Sequence, residues 1–201
     1  MKLKTIQIIF HKELDAIYGL NEVNSLFYLL IETYFNITRL QLALDSDSEI
    51  TEEEQNPIFD ALHKLKNQEP IQYILGETEF FSLSFKVNEH TLIPRPETEE
   101  LVQWVIDEVS SFKSKKPLTI LDIGTGSGCI AISLAKHLTR ATVYALDVSA
   151  EALNLAKQNA ALNDVNIKCL KNNIIETHSS VLLKDVQFDV IVSNPPYVRN
   201  L

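Results

Sequence analysis

The sequence predicts an α/β protein: a small helical bundle over residues 1–76, a β-hairpin connector over 77–94, and from 95 to 201 a domain built on parallel strands. Three observations predict it. Apolar side chains in the N-terminal part recur at intervals of three and four, the period of helices with one buried face. Around residues 80–87 the apolar positions alternate with polar ones, the period of a half-buried strand. Beyond residue 117, short apolar runs that favour strands alternate with helical stretches, the order of βαβ units.

In the bundle, Ile6, Ile9, Phe10, Leu14 and Ile17 share helical spacing, and Val23, Leu26, Phe27 and Leu30 lie on one face of a second helix over 22–31. Asp45-Ser46-Asp47-Ser48-Glu49 is polar throughout and reads as a loop. Thr51-Glu52-Glu53-Glu54 has the form of a helix start, a capping threonine followed by carboxylates at the positive end of the helix dipole. Pro57 is expected to begin or kink the next helical piece, which continues through Leu62 and Leu65.

Phe80, Leu83, Phe85 and Val87 mark the hairpin. Pro96, followed by Glu97, Glu99 and Glu100, opens a helix whose Leu101, Val105 and Val109 face a core, with Trp104 expected to pack beside them. Arg95 sits between two prolines and is therefore held rigidly. It or Glu97 is expected to line a cleft, with a plain ion pair as the alternative.

The residues that point to chemistry come next. Leu118-Thr119-Ile120-Leu121-Asp122-Ile123 reads as a buried strand running into Gly124-Thr125-Gly126-Ser127-Gly128, and a helix begins at Cys129. Glycines permit a tight turn and let bare backbone approach a ligand, while the N–H groups of a helix start favour an anionic group. Neither the dinucleotide fingerprint nor the Walker pattern is met, because position 129 is Cys and no Gly-Lys-Ser/Thr occurs. A second strand, 141–146, ends at Asp147, well placed to accept hydrogen bonds from ribose hydroxyls; as an alternative or in addition, Asp147 serves the helix that Ser149 caps over 150–162. The run Phe188-Asp189-Val190-Ile191-Val192-Ser193 reads as a buried strand ending in Asn194-Pro195-Pro196-Tyr197. The prolines fix their own φ and hold Asn194 away from helix, so this turn presents a rigid tip of carbonyl acceptors suited to a planar –NH2 group.

Composition narrows the function classes. With 201 residues, 45% of them apolar, the chain has room for one or two domains with real cores. A net charge of −9 argues against broad binding to nucleic-acid duplexes, which needs clustered Lys and Arg. Lys113, Lys115 and Lys116 form a small cluster that reads as a solvated linker. Cys129 and Cys169 are expected to be buried free thiols, and the scattered histidines offer no metal site. Lys12, Glu13 and Asp15 break any signal-peptide core, and no apolar run reaches membrane-spanning length, so a cytoplasmic location is expected.

Taken in order, Asp122, Gly124-Thr125-Gly126-Ser127-Gly128, Asp147 and Asn194-Pro195-Pro196-Tyr197 resemble class I S-adenosylmethionine-dependent methyltransferases that alkylate amino groups. Pro70-Ile71-Gln72-Tyr73-Ile74-Leu75-Gly76, Phe80, Phe85-Lys86-Val87 and Leu92-Ile93-Pro94-Arg95-Pro96-Glu97-Thr98-Glu99 resemble the signature of the PrmC/HemK family. The resemblance covers residues 68–197 and implies a Rossmann-like domain that transfers a methyl group to the side-chain amide N5 of the glutamine in the Gly-Gly-Gln motif of peptide chain release factors. It implies S-adenosyl-L-methionine as cofactor, held by Gly124, Thr125, Gly126, Ser127, Gly128, Asp147, Asn173, Ile174 and Asn194. The resemblance further implies that the substrate is gripped by Asn194, Pro195, Pro196 and Tyr197, with Asn194, Pro195 and Tyr197 as catalytic residues. The bundle is implied to dock the release factor; no metal and no membrane are implied, and nucleic acid is not expected as direct substrate. The chain departs from the family pattern at Asn172-Asn173, where a Ser-Asp pair is usual, at Ile174, where a larger residue often stands, and at Ser82, where glycine is common. Four parallel strands can be read where the complete fold has more, so the domain is expected to be incomplete at its C-terminus, leaving an exposed sheet edge.

The implied chemistry follows from the amide. Its nitrogen is a poor nucleophile because the lone pair is delocalised into the carbonyl. With the Asn194 oxygen and the Pro195 carbonyl each accepting one N–H, the nitrogen is positioned and the charge that develops on it is countered. The Tyr197 ring offers its π face to that charge. Adenine-N6 DNA methylation is the alternative, since such enzymes share the Asn-Pro-Pro-Tyr turn; it predicts a basic target-recognition segment, which this chain lacks. A third reading, a docking module on a degenerate cofactor domain, is opposed by the joint presence of Gly124, Gly126, Gly128, Asp147 and Asn194.

Overall fold

The computed structural model describes residues 1–45, 47–111, 116–175 and 186–195. Ser46 of the expected loop, Lys113 and Lys115 of the lysine cluster, and Pro196 and Tyr197 of the terminal turn lie outside the described residues. The chain divides into two compact units, Met1–Leu75 and Gly76–Leu201, each with its own apolar core.

The first unit holds α1 (Leu3–Tyr18), α2 (Leu20–Phe35), α3 (Arg39–Leu44), α4 (Glu52–Lys66) and α5 (Ile71–Leu75). Helical spacing puts Leu3, Ile6, Phe10 and Leu14 on the buried face of α1, and Val23, Leu26, Phe27, Leu30 and Ile31 on that of α2. Phe10 and Phe27 meet edge to face with ring centroids 5.3 Å apart. Gly19 joins the two helices at φ 82°, where a side chain would be strained, and its N–H closes α1 on the Asp15 carbonyl. Ile17, expected on the buried stripe of α1, is 42% exposed at its last turn. Thr51 and Glu54 form a reciprocal capping box at the start of α4. Pro57 does not begin a helix: α4 runs through it, held by that cap and by buried Ile58, Ala61, Leu62 and Leu65.

The second unit opens with an antiparallel hairpin, β1 (Glu77–Phe80) and β2 (Leu83–Lys86), with Phe80 opposite Leu83. Its two-residue turn needs positive φ at both positions, and Phe81 and Ser82 supply 51° and 58°. Ser82 thus takes the left-handed conformation that glycine would meet more cheaply. Phe80 and Phe85 of the hairpin are buried in the core of this unit. Then follow α6 (Glu97–Ser111), β3 (Leu118–Ile123), α7 (Cys129–His137), β4 (Ala141–Asp147), α8 (Ala150–Leu162), β5 (Lys168–Lys171) and β6 (Val190–Ser193). Thr98, Val102, Val105 and Val109 form the buried face of α6, with Leu101 partly buried. Trp104, expected to pack, is 64% exposed, and its indole N–H faces Glu108. Cys129 is buried and Cys169 half-buried.

The four strands β3 to β6 form one parallel sheet in the order β5-β4-β3-β6. The chain steps outward from β3 through β4 to β5, then returns to the other side of β3 as β6. The strand order therefore reverses between β3 and β6, and a crevice opens there beyond the carboxyl ends of the strands. Among the described residues no helix is long and apolar enough to cross a membrane.

Candidate active site

At that carboxyl edge the strands end at Ile123, Asp147, Lys171 and Ser193, and the segments that follow all reach one cavity of about 870 Å³. Gly124 and Gly126 line it after β3, Asp147 and Val148 at the end of β4, Asn172, Asn173 and Ile174 after β5, and Asn194 after β6. The opposite wall comes from residues 90–92 and from Arg95, Glu97, Thr98 and Leu101 around the start of α6. Both Arg95 and Glu97, expected as alternatives for a cleft, line it.

The turn after β3 is shaped from both sides. The Gly124 and Thr125 amides donate to the Leu146 carbonyl at 2.8 and 3.0 Å, and the Gly126 amide donates to Asp147 Oδ2 at 2.9 Å. Gly124 and Gly126 have φ of 72° and 54°, and a Cβ at either would meet nothing within 4 Å, so their bare faces are open. Gly128 serves another purpose. A Cβ there would lie 2.9 Å from Ile132 Cδ1 and 3.0 Å from Ala156 Cβ, so this glycine lets α7 pack against α8. Thr125 and Ser127, named with the glycines as cofactor residues, are 5% and 2% exposed and do not line the cavity.

Beneath the turn, Asp122 is completely buried and its Oδ2 accepts from the Thr125 hydroxyl at 2.6 Å. Burial pushes its carboxyl up to about 7, against the opposing pull of the Thr125 bond. Oδ1 of Asp122 has no hydrogen-bond partner among the described residues. Burial, together with the neighbouring Asp122 charge, also pushes the Cys129 thiol up to about 12, which makes it unreactive as a nucleophile.

Asp147 serves the start of the helix that Ser149 caps and also lines the cavity. Its Oδ1 accepts the Ser149 amide at 3.0 Å and its Oδ2 the Gly126 amide, yet the residue remains in the cavity wall. Each carboxylate oxygen has a second lone pair, so acceptors remain for a ligand hydroxyl. Asn173 and Ile174 also line the wall, with Asn173 Oδ1 accepting the Ile175 amide at 3.1 Å. Beside them Asn172, the first residue of the Asn172-Asn173 pair that departs from the family pattern, carries a buried Nδ2 with no partner among the described residues.

Asn194 follows β6 and its Nδ2 donates to Thr98 Oγ1 at 3.0 Å. Pro195 is exposed at the same rim. The sequence singled out Thr98 and Leu92 only as parts of the Leu92–Glu99 run, and Val148, His90 and Thr91 carried no signal of a site. Of the implied site residues, the structure brings Gly124, Gly126, Asp147, Asn173, Ile174 and Asn194 to one cavity.

Comparison with known proteins matches this arrangement to a family. The PrmC N-terminal domain family matches residues 12–76, and the methyltransferase small domain family matches residues 108–201. The chain is 50% identical over its whole length to a release factor glutamine methyltransferase of Flavobacterium psychrophilum, 69% of which it covers. It is 36% identical over 98% of its length to the protein of that name from Bacteroides thetaiotaomicron, covering 68% of it. A Lactococcus lactis protein of that name is 45% identical over 74% of this chain, which covers 52% of it. The chain thus spans between about half and about two thirds of the length of these relatives. With its α/β methyltransferase unit and its helical N-terminal unit, the chain belongs to the release factor glutamine methyltransferase family.

Proposed function

We infer that the protein transfers a methyl group from S-adenosyl-L-methionine to the side-chain amide nitrogen of the glutamine in the Gly-Gly-Gln motif of a peptide chain release factor, in the cytoplasm where these factors act. The observation that carries this is the meeting of Gly124, Gly126, Asp147 and Asn194 in one cavity at the point where the strand order reverses. The names of the relatives favour this substrate over adenine in DNA. The helical unit is the docking element in this reading, supported by its match to the PrmC N-terminal domain.

The residues present fit the cofactor. Asp147 offers acceptors for ribose hydroxyls, and bare backbone at Gly124 and Gly126 admits the amino-acid end. The buried Asn172 Nδ2 is a donor in search of an acceptor, which an adenine ring nitrogen supplies, and Asn173 and Ile174 adjoin it. S-Adenosyl-L-methionine brings an electrophilic methyl group on a sulfonium. The chain does the positioning. Asn194 Oδ1 and the Pro195 carbonyl accept the two N–H bonds of the substrate amide, which turns its lone pair out of conjugation and counters the charge that grows on nitrogen. No strong base is needed beforehand, because alkylation makes the nitrogen acidic.

The test offers the complete gene product labelled cofactor with a release factor and duplex DNA in parallel. Label is expected in the glutamine peptide and not in DNA. Asn194→Ala is expected to lower turnover at saturating cofactor by about 10²-fold or more. Label in DNA alone, or an Asn194→Ala variant at the wild-type rate, overturns the reading.

A further inference from the structure

We propose that Thr98 is a positioning residue for Asn194, holding its carboxamide by the nitrogen so that the oxygen is the end presented to the substrate. The inference rests on the reading of Asn194 as an acceptor for the substrate amide. Its basis is the bond from Asn194 Nδ2 to Thr98 Oγ1, 3.0 Å long and joining residues 96 positions apart in sequence. Both residues line the same cavity.

An asparagine amide turns easily about its last torsion, where the preference is broad and roughly two-fold. Its two ends are nearly equal in size and opposite in hydrogen-bonding sense. Turned one way it accepts from a substrate –NH2; turned the other way it sets donor against donor, and the grip is lost. An enzyme that grips –NH2 with asparagine must therefore suppress the second orientation. Backbone constraint alone does not do so: Pro195 restricts the φ and ψ of Asn194 but leaves the side chain free to turn.

Thr98 gives the carboxamide an anchor: its hydroxyl accepts from Nδ2 and fixes where that end lies, and a substrate –NH2 then meets the oxygen at the other end. Thr98 is 6% exposed in the first turn of α6, and its own N–H bonds the Arg95 carbonyl at 2.9 Å. As a β-branched residue in a helix it has few side-chain rotamers, so its hydroxyl is a fixed point. With Nδ2 on that hydroxyl, Oδ1 lies at the opposite end of the carboxamide. A threonine present only for packing would be replaced by valine, nearly the same shape, without any effect particular to the methyl-transfer step.

Thr98→Val, Thr98→Ser, Asn194→Ala and the Thr98→Val/Asn194→Ala double variant of the complete gene product are assayed for methyl transfer to a release factor, with cofactor affinity from calorimetry. Thr98→Val is expected to lower kcat by about 10-fold or more, while cofactor affinity and the KM for release factor stay within about twofold. Thr98→Ser restores most of kcat, and the double variant is no slower than Asn194→Ala. Three results each overturn the inference: kcat of Thr98→Val within about twofold of wild type, no recovery with serine, or losses that multiply in the double variant. If Asn194→Ala turns over normally, the reading of Asn194 falls and the inference with it; if only Thr98→Val does, the inference falls alone.

Discussion

Asn159 and Lys86 exchange two hydrogen bonds: the Lys86 amide donates to Asn159 Oδ1 at 2.7 Å, and Asn159 Nδ2 donates back to the Lys86 carbonyl at 3.0 Å. The same Nδ2 donates to the Ser127 carbonyl at 2.9 Å. One fully buried carboxamide in α8 therefore continues the edge of β2 and also ties down the glycine turn that borders the cavity. Asn163, the C-cap that follows α8, adds a bond from Nδ2 to the Ser84 carbonyl at 2.8 Å. The hairpin is thus fastened to the methyltransferase unit by asparagine amides as well as by its phenylalanines.

Asn159→Ala removes all three bonds and leaves the Lys86 amide and the Lys86 and Ser127 carbonyls without this partner. The expected loss is about 2–4 kcal/mol of stability, read from urea unfolding. Asn159→Asp is expected to be at least as harmful near neutral pH, because it replaces a donor shared by two carbonyls with a charged acceptor. A loss under about 0.5 kcal/mol in the alanine variant would show that the three bonds do not hold the turn.

What could be read from the sequence was local in origin. The β-branched runs and the glycine cluster announce a strand, a turn and a helix by themselves, and the rules of parallel sheets then bring Asp147 and Asn194 to one edge. Thr98 and Asn159 were not legible, because their roles depend on distant partners. Asn159 and Lys86 are 73 positions apart, and a mid-helix asparagine reads as a solvent-facing residue until α8 is packed. The resemblance implied Thr125 and Ser127 at the cofactor, yet their alternation with glycines turns Gly124 and Gly126 toward the cavity and the hydroxyl residues inward. Trp104 was misplaced by one helical position: Val105 faces the core, and the neighbouring side chain, about 100° around the helix, faces solvent.

The glycines of the turn are expected to differ in their tolerance. Alanine at Gly124 meets no atom within 4 Å and bears only the strain of φ 72°, about 1 kcal/mol. Alanine at Gly128 adds a clash with Ile132 and Ala156 at φ 83°, so its cost is expected to exceed that of Gly124→Ala by about 1–3 kcal/mol. Ala156→Gly in the Gly128→Ala background removes one of the two clashes and is expected to recover part of the loss. Thermal unfolding of the four proteins checks the ranking; equal losses at the two glycines would contradict the packing role of Gly128.

Asp147→Ala acts at two levels. It removes the acceptors for the Gly126 and Ser149 amides, and with them the link between the end of β4 and the turn after β3. It also removes the carboxylate proposed for the ribose hydroxyls. Calorimetry with S-adenosyl-L-methionine is expected to show affinity weaker by about 10- to 100-fold, the worth of one or two hydrogen bonds to a charged group. Affinity unchanged in a folded variant would remove Asp147 from the cofactor site.

Asp122 makes stability depend on pH in a stated direction. Its carboxyl titrates near 7 in the folded protein, against 3.8 as its ordinary value, chiefly because burial disfavours the charge. Below about pH 4 the group is protonated in both the folded and unfolded states, and its contribution to stability is whole. As pH rises, the unfolded chain gives up the proton first while the folded chain retains it, so stability declines through the interval up to about pH 7 and levels off above it. Asp122→Asn carries no charge at any of these pH values, and its amide oxygen still accepts from the Thr125 hydroxyl. The Tm of the variant, measured relative to wild type, is therefore expected to rise between pH 4 and pH 8 by roughly 5 °C or more. A difference in Tm that stays constant across that range would mean that Asp122 does not retain a proton in the fold, and the absence of a partner for its Oδ1 would then need another explanation.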